Sequence, residues 1–147
     1  MMEGINDIGA GVPAATLDTG LSQIARRVRA AAASILLSPL TPAGDLTGPT
    51  FYSPFYSSPT GVQERHDVND WIRRVSGAYS ASFDFDPVIK DPQSPDHILR
   101  SYNSGDNLHP NLAGQQAMAG SIQCLTGRQA VMAAGWPPAC APTQSTR

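Results

Sequence analysis

Cysteine is nearly absent: the 147 residues contain two, Cys124 and Cys140, both near the C-terminus. Neither stands in a metal-ligand spacing, which argues against a structural zinc site; idle thiols and a bridge that ties down the tail both fit the pair. Charge is sparse and balanced, with 10 basic and 12 acidic residues and a formal net charge of −2. The two signs are interspersed, so no basic face points to nucleic acid and no polybasic run points to anionic lipid. No apolar run is long enough to span a bilayer. Met1-Met2-Glu3-Gly4 has neither the basic start nor the apolar stretch of a signal peptide, so the chain as written reads as cytoplasmic. There is no internal repeat, and neither a cofactor nor a metal is expected. What is present is 41% hydrophobic residues, enough for one domain with its own core.

The chemistry concentrates in Gly105-Asp106-Asn107-Leu108-His109-Pro110. An Asp three residues before a His, on a turn not yet helical, lets the carboxylate fold back onto the ring Nδ1–H. That fixes the tautomer and makes Nε2 the basic nitrogen. Pro110 suits the first position of a helix, where its missing N–H costs nothing.

The rest of the chain has an α/β rhythm. Gly4 to Gly9 is a Gly- and Asn/Asp-rich turn of the kind that follows a strand. Leu17, Leu21, Ile24 and Val28 recur at helical spacing and predict a helix from Thr16 to about Ala32. Ser34 to Ser38 is a short apolar strand, ended by Pro39, of the type buried on both faces in a parallel sheet. Residues 39–59 form a long loop whose aromatics Phe51, Tyr52, Phe55 and Tyr56 could line a substrate cleft or pack the loop onto the body. Thr60-Gly61-Val62-Gln63 has the form of a capping box. It opens a helix with Val68, Trp71, Ile72, Val75 and Tyr79 on its apolar face, Trp71 reading as core rather than ligand, and Arg65, Asp67, Arg73 and Arg74 off it. Ala81 to Asp86 alternates as a strand near a sheet edge. A loop from Lys90 to Tyr102 leads to the Asp106 turn. A last helix to about Gln123 would bury Leu112, Ala119 and Ile122. The domain is expected over 1–125, with a loosely ordered tail over 126–147.

Two turns, Gly4-Ile5-Asn6-Asp7 and Asp106-Asn107-Leu108-His109, fall at the ends of strand-like segments, where open parallel sheets hold their ligands. In these blocks the sequence resembles the SGNH (GDSL-like) hydrolases, whose later motifs have the forms G-x-N-D and D-x-x-H-P. Leu40-Thr41-Pro42, Asn69-Asp70-Trp71-Ile72-Arg73, and Asn111 with Gly114 and Ala117-Met118-Ala119 extend the match in order. The resemblance implies a flavodoxin-like three-layer α/β/α sandwich of about five parallel strands, present here only in part because its N-terminal strands are missing. It implies a serine ester hydrolase of esterase, lipase or carbohydrate acetylesterase type, acting on an acylated carbohydrate or lipid. Carried over residue by residue, it makes His109 the general base, Asp106 its orienting acid and Asn6 an oxyanion-hole donor. The pattern is nearest to secreted microbial acylhydrolases, which implies an extracellular protein.

The departure is at the start. The family's nucleophilic Ser lies in a G-D-S block ahead of G-x-N-D, with a Gly donor in a block between them. Here G-x-N-D begins at the fourth residue, and no G-D-S triplet occurs anywhere in the chain. Three readings follow: the C-terminal part of an ester hydrolase, inactive alone; a non-catalytic binding or partner-docking fragment on the same scaffold; or an enzyme with a reassigned nucleophile such as Ser104. Missing strands would leave an exposed edge beside Ile35 to Leu37, inviting self-association. The isolated chain is therefore expected to be marginally stable.

Overall fold

A computed structural model describes residues 1–44, 54–75 and 81–132. The expectations for Phe51, Tyr52 and Tyr79, for a Cys124–Cys140 bridge, and for residues 133–147 lie outside the described residues. The elements run α1 (Ile5–Gly9), α2 (Ala14–Ala30), β1 (Leu36–Leu37), a 3-10 turn (Pro54–Ser57), α3 (Pro59–Val75), β2 (Ala81–Ser82), α4 (Asp86–Ile89), a second 3-10 turn (Arg100–Tyr102) and α5 (Leu112–Met132).

β1 and β2 pair in parallel, Leu36 with Ala81 and Leu37 with Ser82, and α3 forms the crossover between them. The amino group of Met1 donates to the Leu36 carbonyl at 2.6 Å, and Ser38 N–H donates to the Met1 carbonyl at 2.9 Å. Met1 thus lies along β1 as a third strand would, in the parallel pattern. Met1 thereby lies on the edge beside β1 that is expected to be open. Leu37 is buried, whereas Leu36 is 39% exposed. The strand is therefore covered on one face, not on both as its apolar run suggested.

The main core joins Ile8 of α1, Leu17, Leu21 and Ala25 of α2, Ile35, Leu37 and Leu40 around β1, and Val68 and Ile72 of α3. Spacing by fours along α2 aims Leu17, Leu21 and Ala25 inward; Ile24, expected on that face, is 43% exposed. Pro13 leaves α2 with no side-chain cap of its own, and Glu64 of α3 supplies one by accepting from Ala14 N–H at 2.5 Å. α3 starts one step before the predicted box. Ser58 Oγ accepts from Gly61 N–H at 3.0 Å, and Pro59 takes the first helical position.

Arg65 corrects the sequence reading most clearly, since it is 4% exposed. Its guanidinium donates to Asp86 at 3.1 Å, to Asp96 at 2.5 Å and to the Leu40 carbonyl at 3.4 Å. Burial of so polar a group is tolerable because two carboxylates meet its fork. Asn69 is equally buried and grips the same segment in both directions, accepting from Leu40 N–H at 2.6 Å and donating to the Leu40 carbonyl at 2.9 Å. The two residues fix Leu40-Thr41-Pro42, a buried stretch with no regular structure of its own.

α5 begins at Leu112, not at Pro110. Asn111 is its cap: Oδ1 accepts from Gly114 N–H, while Nδ2 donates to the Ser101 and Asn103 carbonyls, each at 3.0 Å. Leu112 is 70% exposed and Ala119 is also exposed, so neither is the buried anchor expected of it. Gly114 is buried instead, close against Tyr102. The helix continues to Met132, past its expected end near Gln123. Among the described residues no helix is long and apolar enough to cross a membrane.

Candidate active site

Asn103 builds the turn that carries the candidate base. Its Oδ1 accepts from the N–H groups of Gly105 at 2.8 Å and Asn107 at 3.0 Å, and its amide also meets the Asn107 side chain. Backbone bonds close the loop behind it, from Ser104 N–H to the His109 carbonyl at 3.0 Å and from Asn111 N–H to the Tyr102 carbonyl at 2.7 Å. Gly105 at φ 105° and Asn107 at φ 60° hold the left-handed conformations that so tight a reversal requires.

Within this loop Asp106 uses both oxygens. Oδ1 accepts from Leu108 N–H at 2.9 Å, His109 N–H at 2.8 Å and the Ser104 hydroxyl at 2.8 Å. Oδ2 lies 2.7 Å from His109 Nδ1. Partial burial pushes the Asp106 carboxyl upward, but bonds from the His109 backbone and ring, from Leu108 and from Ser104 outweigh it and hold the group well below the usual carboxylate range. An ionised carboxylate at Nδ1 calls for a proton there, which makes Nε2 the acceptor nitrogen. The His109 side chain is 58% exposed. Asp106 and His109 are therefore brought together as the sequence suggested, three residues apart. The Ser104 hydroxyl donates to Asp106 Oδ1 at 2.8 Å.

Asn6 sits in α1, a single helical turn that follows Gly4 at φ 123°. Its Oδ1 accepts from the Tyr56 hydroxyl at 3.1 Å. Tyr56 belongs with Ala43 and Leu108 to a small second core, against which Ile5 packs. The neighbours of Asn6 and His109 in sequence thus meet through this cluster, and two turns a hundred residues apart become neighbours in space. In the sequence Tyr56 reads only as a loop aromatic, and Asn103 and Asn111 carry no role of their own. The Asn-rich run on either side of the turn was the signal for the latter two; nothing in the sequence tied Tyr56 to Asn6.

Among the described residues, two of the concavities lie as follows. One of about 370 Å³ is lined by Arg65, His66, Arg73, Asp86, Lys90 and Asp96, among others. Another, of about 480 Å³, backs the turn with His97, Arg100, Asn103, Gly105 and Asn107. Neither is lined by Asn6 or His109. Among the described residues no group of His, Cys, Asp and Glu is placed to hold a metal ion.

A sequence model of the GDSL-like lipase/acylhydrolase family matches residues 1–117. The chain belongs to that family. Among curated proteins none matches it. Solved structures share its fold, two of them as follows. One, from Streptococcus pneumonia and described as a candidate platelet activating factor, is 21% identical, with a TM-score of 0.66 over 83% of this chain and 56% of that one. The other is a GDSL-like lipase from Bacteroides thetaiotaomicron, 15% identical, with a TM-score of 0.62 over 79% of this chain and 53% of that one. The chain spans little more than half the length of either. Among the described residues, its two parallel strands and their helices are part of the α/β fold of GDSL-like hydrolases.

Proposed function

We propose that this chain carries the base, the orienting acid and one oxyanion donor of a serine ester hydrolase whose nucleophile comes from a segment outside these 147 residues. The observation that carries the proposal is the 2.7 Å contact from Asp106 Oδ2 to His109 Nδ1, on a turn closed by its own hydrogen bonds. In the reaction, His109 Nε2 takes the proton of the serine hydroxyl as its oxygen bonds to the ester carbonyl carbon. The Asn6 amide donates to the negative charge that develops on the carbonyl oxygen. Collapse breaks the ester bond, and the alcohol leaves with the proton from Nε2. Water, deprotonated by the same nitrogen, then releases the acid and restores the serine. Asp106 remains ionised throughout and keeps the ring oriented. The substrate would be an acylated carbohydrate or a lipid.

The test is hydrolysis of p-nitrophenyl acetate by the 147-residue chain, alone and joined to a family segment bearing the G-D-S block. No turnover alone and turnover when joined, abolished by His109→Ala, is the expected result. Full activity of the chain alone would overturn the claim that the serine is supplied from outside. A joined, folded protein that binds acylated sugar or lipid without turnover would favour a non-catalytic binding fragment.

A further inference from the structure

We infer that Tyr56 is a positioning residue: its hydroxyl holds the Asn6 amide with Oδ1 turned inward and the Nδ2–H donors turned away from Tyr56. This rests on the reading of Asn6 as an oxyanion donor and extends it. An asparagine amide can present either its oxygen or its nitrogen to a given spot, and the two choices are opposite in function. As an oxyanion donor it must offer N–H, and rotation about its last bond would offer the carbonyl oxygen instead, setting a partial negative charge against a developing one.

The inward end is set by the Tyr56 hydroxyl, 3.1 Å from Oδ1. The hydroxyl is itself held firmly. Tyr56 is 7% exposed and packed with Ala43, Leu108 and Ile5. Its ring lies so close over Gly9 that a Cβ there would collide with it. The 3-10 turn that carries Tyr56 is pressed equally close to the start of α3, since a Cβ at Gly61 would meet the Phe55 carbonyl. Two glycines therefore let the turn sit tightly between α1 and α3 and fix the height of the hydroxyl above Asn6. Ile5 and Leu108, which share this packing, flank Asn6 and His109 in sequence, so the ring that orients the oxyanion donor also registers it against the base.

The first test needs no turnover. In the full chain, side-chain 15N relaxation should show the Asn6 Nδ2 group ordered, with cross-relaxation placing its protons away from the Tyr56 ring. Tyr56→Phe should lower that order while leaving the backbone amide spectrum unchanged outside the immediate neighbours. An Asn6 amide equally ordered in Tyr56→Phe, or Nδ2 protons facing Tyr56 in the unaltered chain, would overturn the inference. The second test uses the joined, active protein. There Tyr56→Phe should lower kcat about tenfold with KM unchanged, the loss expected of one neutral hydrogen bond. Because it acts through Asn6, Asn6→Ala combined with Tyr56→Phe should be no slower than Asn6→Ala alone. Impaired Asn6→Ala beside an unaffected Tyr56→Phe sinks the positioning role. Full activity of Asn6→Ala sinks the oxyanion reading and with it the positioning role, while the relaxation result still stands as a statement about the amide.

Discussion

Replacing Asp106 by Asn separates the proposed catalytic role of the turn from its structural one. Asn is nearly the same shape, so its Oδ1 can keep the three donors that Asp106 Oδ1 now accepts, from Ser104, Leu108 and His109. The other end becomes an NH2 group facing His109 Nδ1, where the carboxylate now sits at 2.7 Å. The ring must then accept at Nδ1, so its proton moves to Nε2, and the nitrogen proposed as the base becomes a donor. The stability cost is small. His109 and Asp106 side chains are 58% and 29% exposed, and a solvated side-chain pair of this kind is worth roughly 0–1 kcal/mol. Weakening the three retained bonds from charge-assisted to neutral adds a similar amount, so the loss is about 1 kcal/mol, or about 2–4 °C in Tm. The effect on turnover of the joined protein should be about 10⁴-fold, the scale that a wrong tautomer costs in a serine triad. Urea unfolding followed by circular dichroism measures the first quantity, and 15N chemical shifts of His109 report the tautomer in the chain alone. An imidazole that keeps its proton on Nδ1 in the variant, or a stability loss above about 3 kcal/mol, would refute the reasoning.

Arg65→Met should cost about 3 kcal/mol in urea unfolding, because it strands Asp86 and Asp96 near a buried site; Arg73 and Lys90, at 3.3 and 3.7 Å from Asp86, offset part of the loss. A cost below about 1 kcal/mol would show that solvent already compensates these carboxylates. Gly9→Ala should destabilise by about 1–3 kcal/mol and displace Tyr56, read as a loss of order at the Asn6 amide; an unchanged amide would mean that α1 shifts instead. Acid should weaken the fold through Asp96 and Asp106. At Asp96 burial raises the carboxyl, but the hydrogen bond and charge of His66 and the charge of Arg65 bring it below its usual value, as bonding does for Asp106. A depressed folded pKa contributes stability that is present above the unfolded value of about 4 and is lost as pH falls through the folded value. The urea midpoint should therefore drop below about pH 4, and Asp106→Asn should flatten that drop; an equal slope in the variant would assign it to other carboxylates.

The local chemistry was legible because it is local. Asp106 and His109 lie three residues apart, Gly105 and Asn107 are residues that tolerate the turn, and the ordered motif blocks named the family before any contact was known. The helices were legible too, since burying one side of a helix imprints a period on the chain; α2 and α3 fall within a few residues of their expected ranges. The faces were less so. Ala25 displaced Ile24 from the core because α2 meets α3 and β1 along the Leu17–Leu21–Ala25 line, and a helix period alone does not tell adjacent residues at the edge of a stripe apart. Arg65 looked solvent-facing because its partners, Asp86 and Asp96, are 21 and 31 residues away. The site shows the same division. Sequence by itself singled out His109, Asp106 and Asn6 as the candidate residues. Only tertiary packing decided that Ile5 and Leu108 share a core with Tyr56, and that a tyrosine fifty residues from Asn6 meets its amide. Hydrogen bonds and packing act through space, and at that separation in sequence nothing in the pattern of residues records which groups will meet.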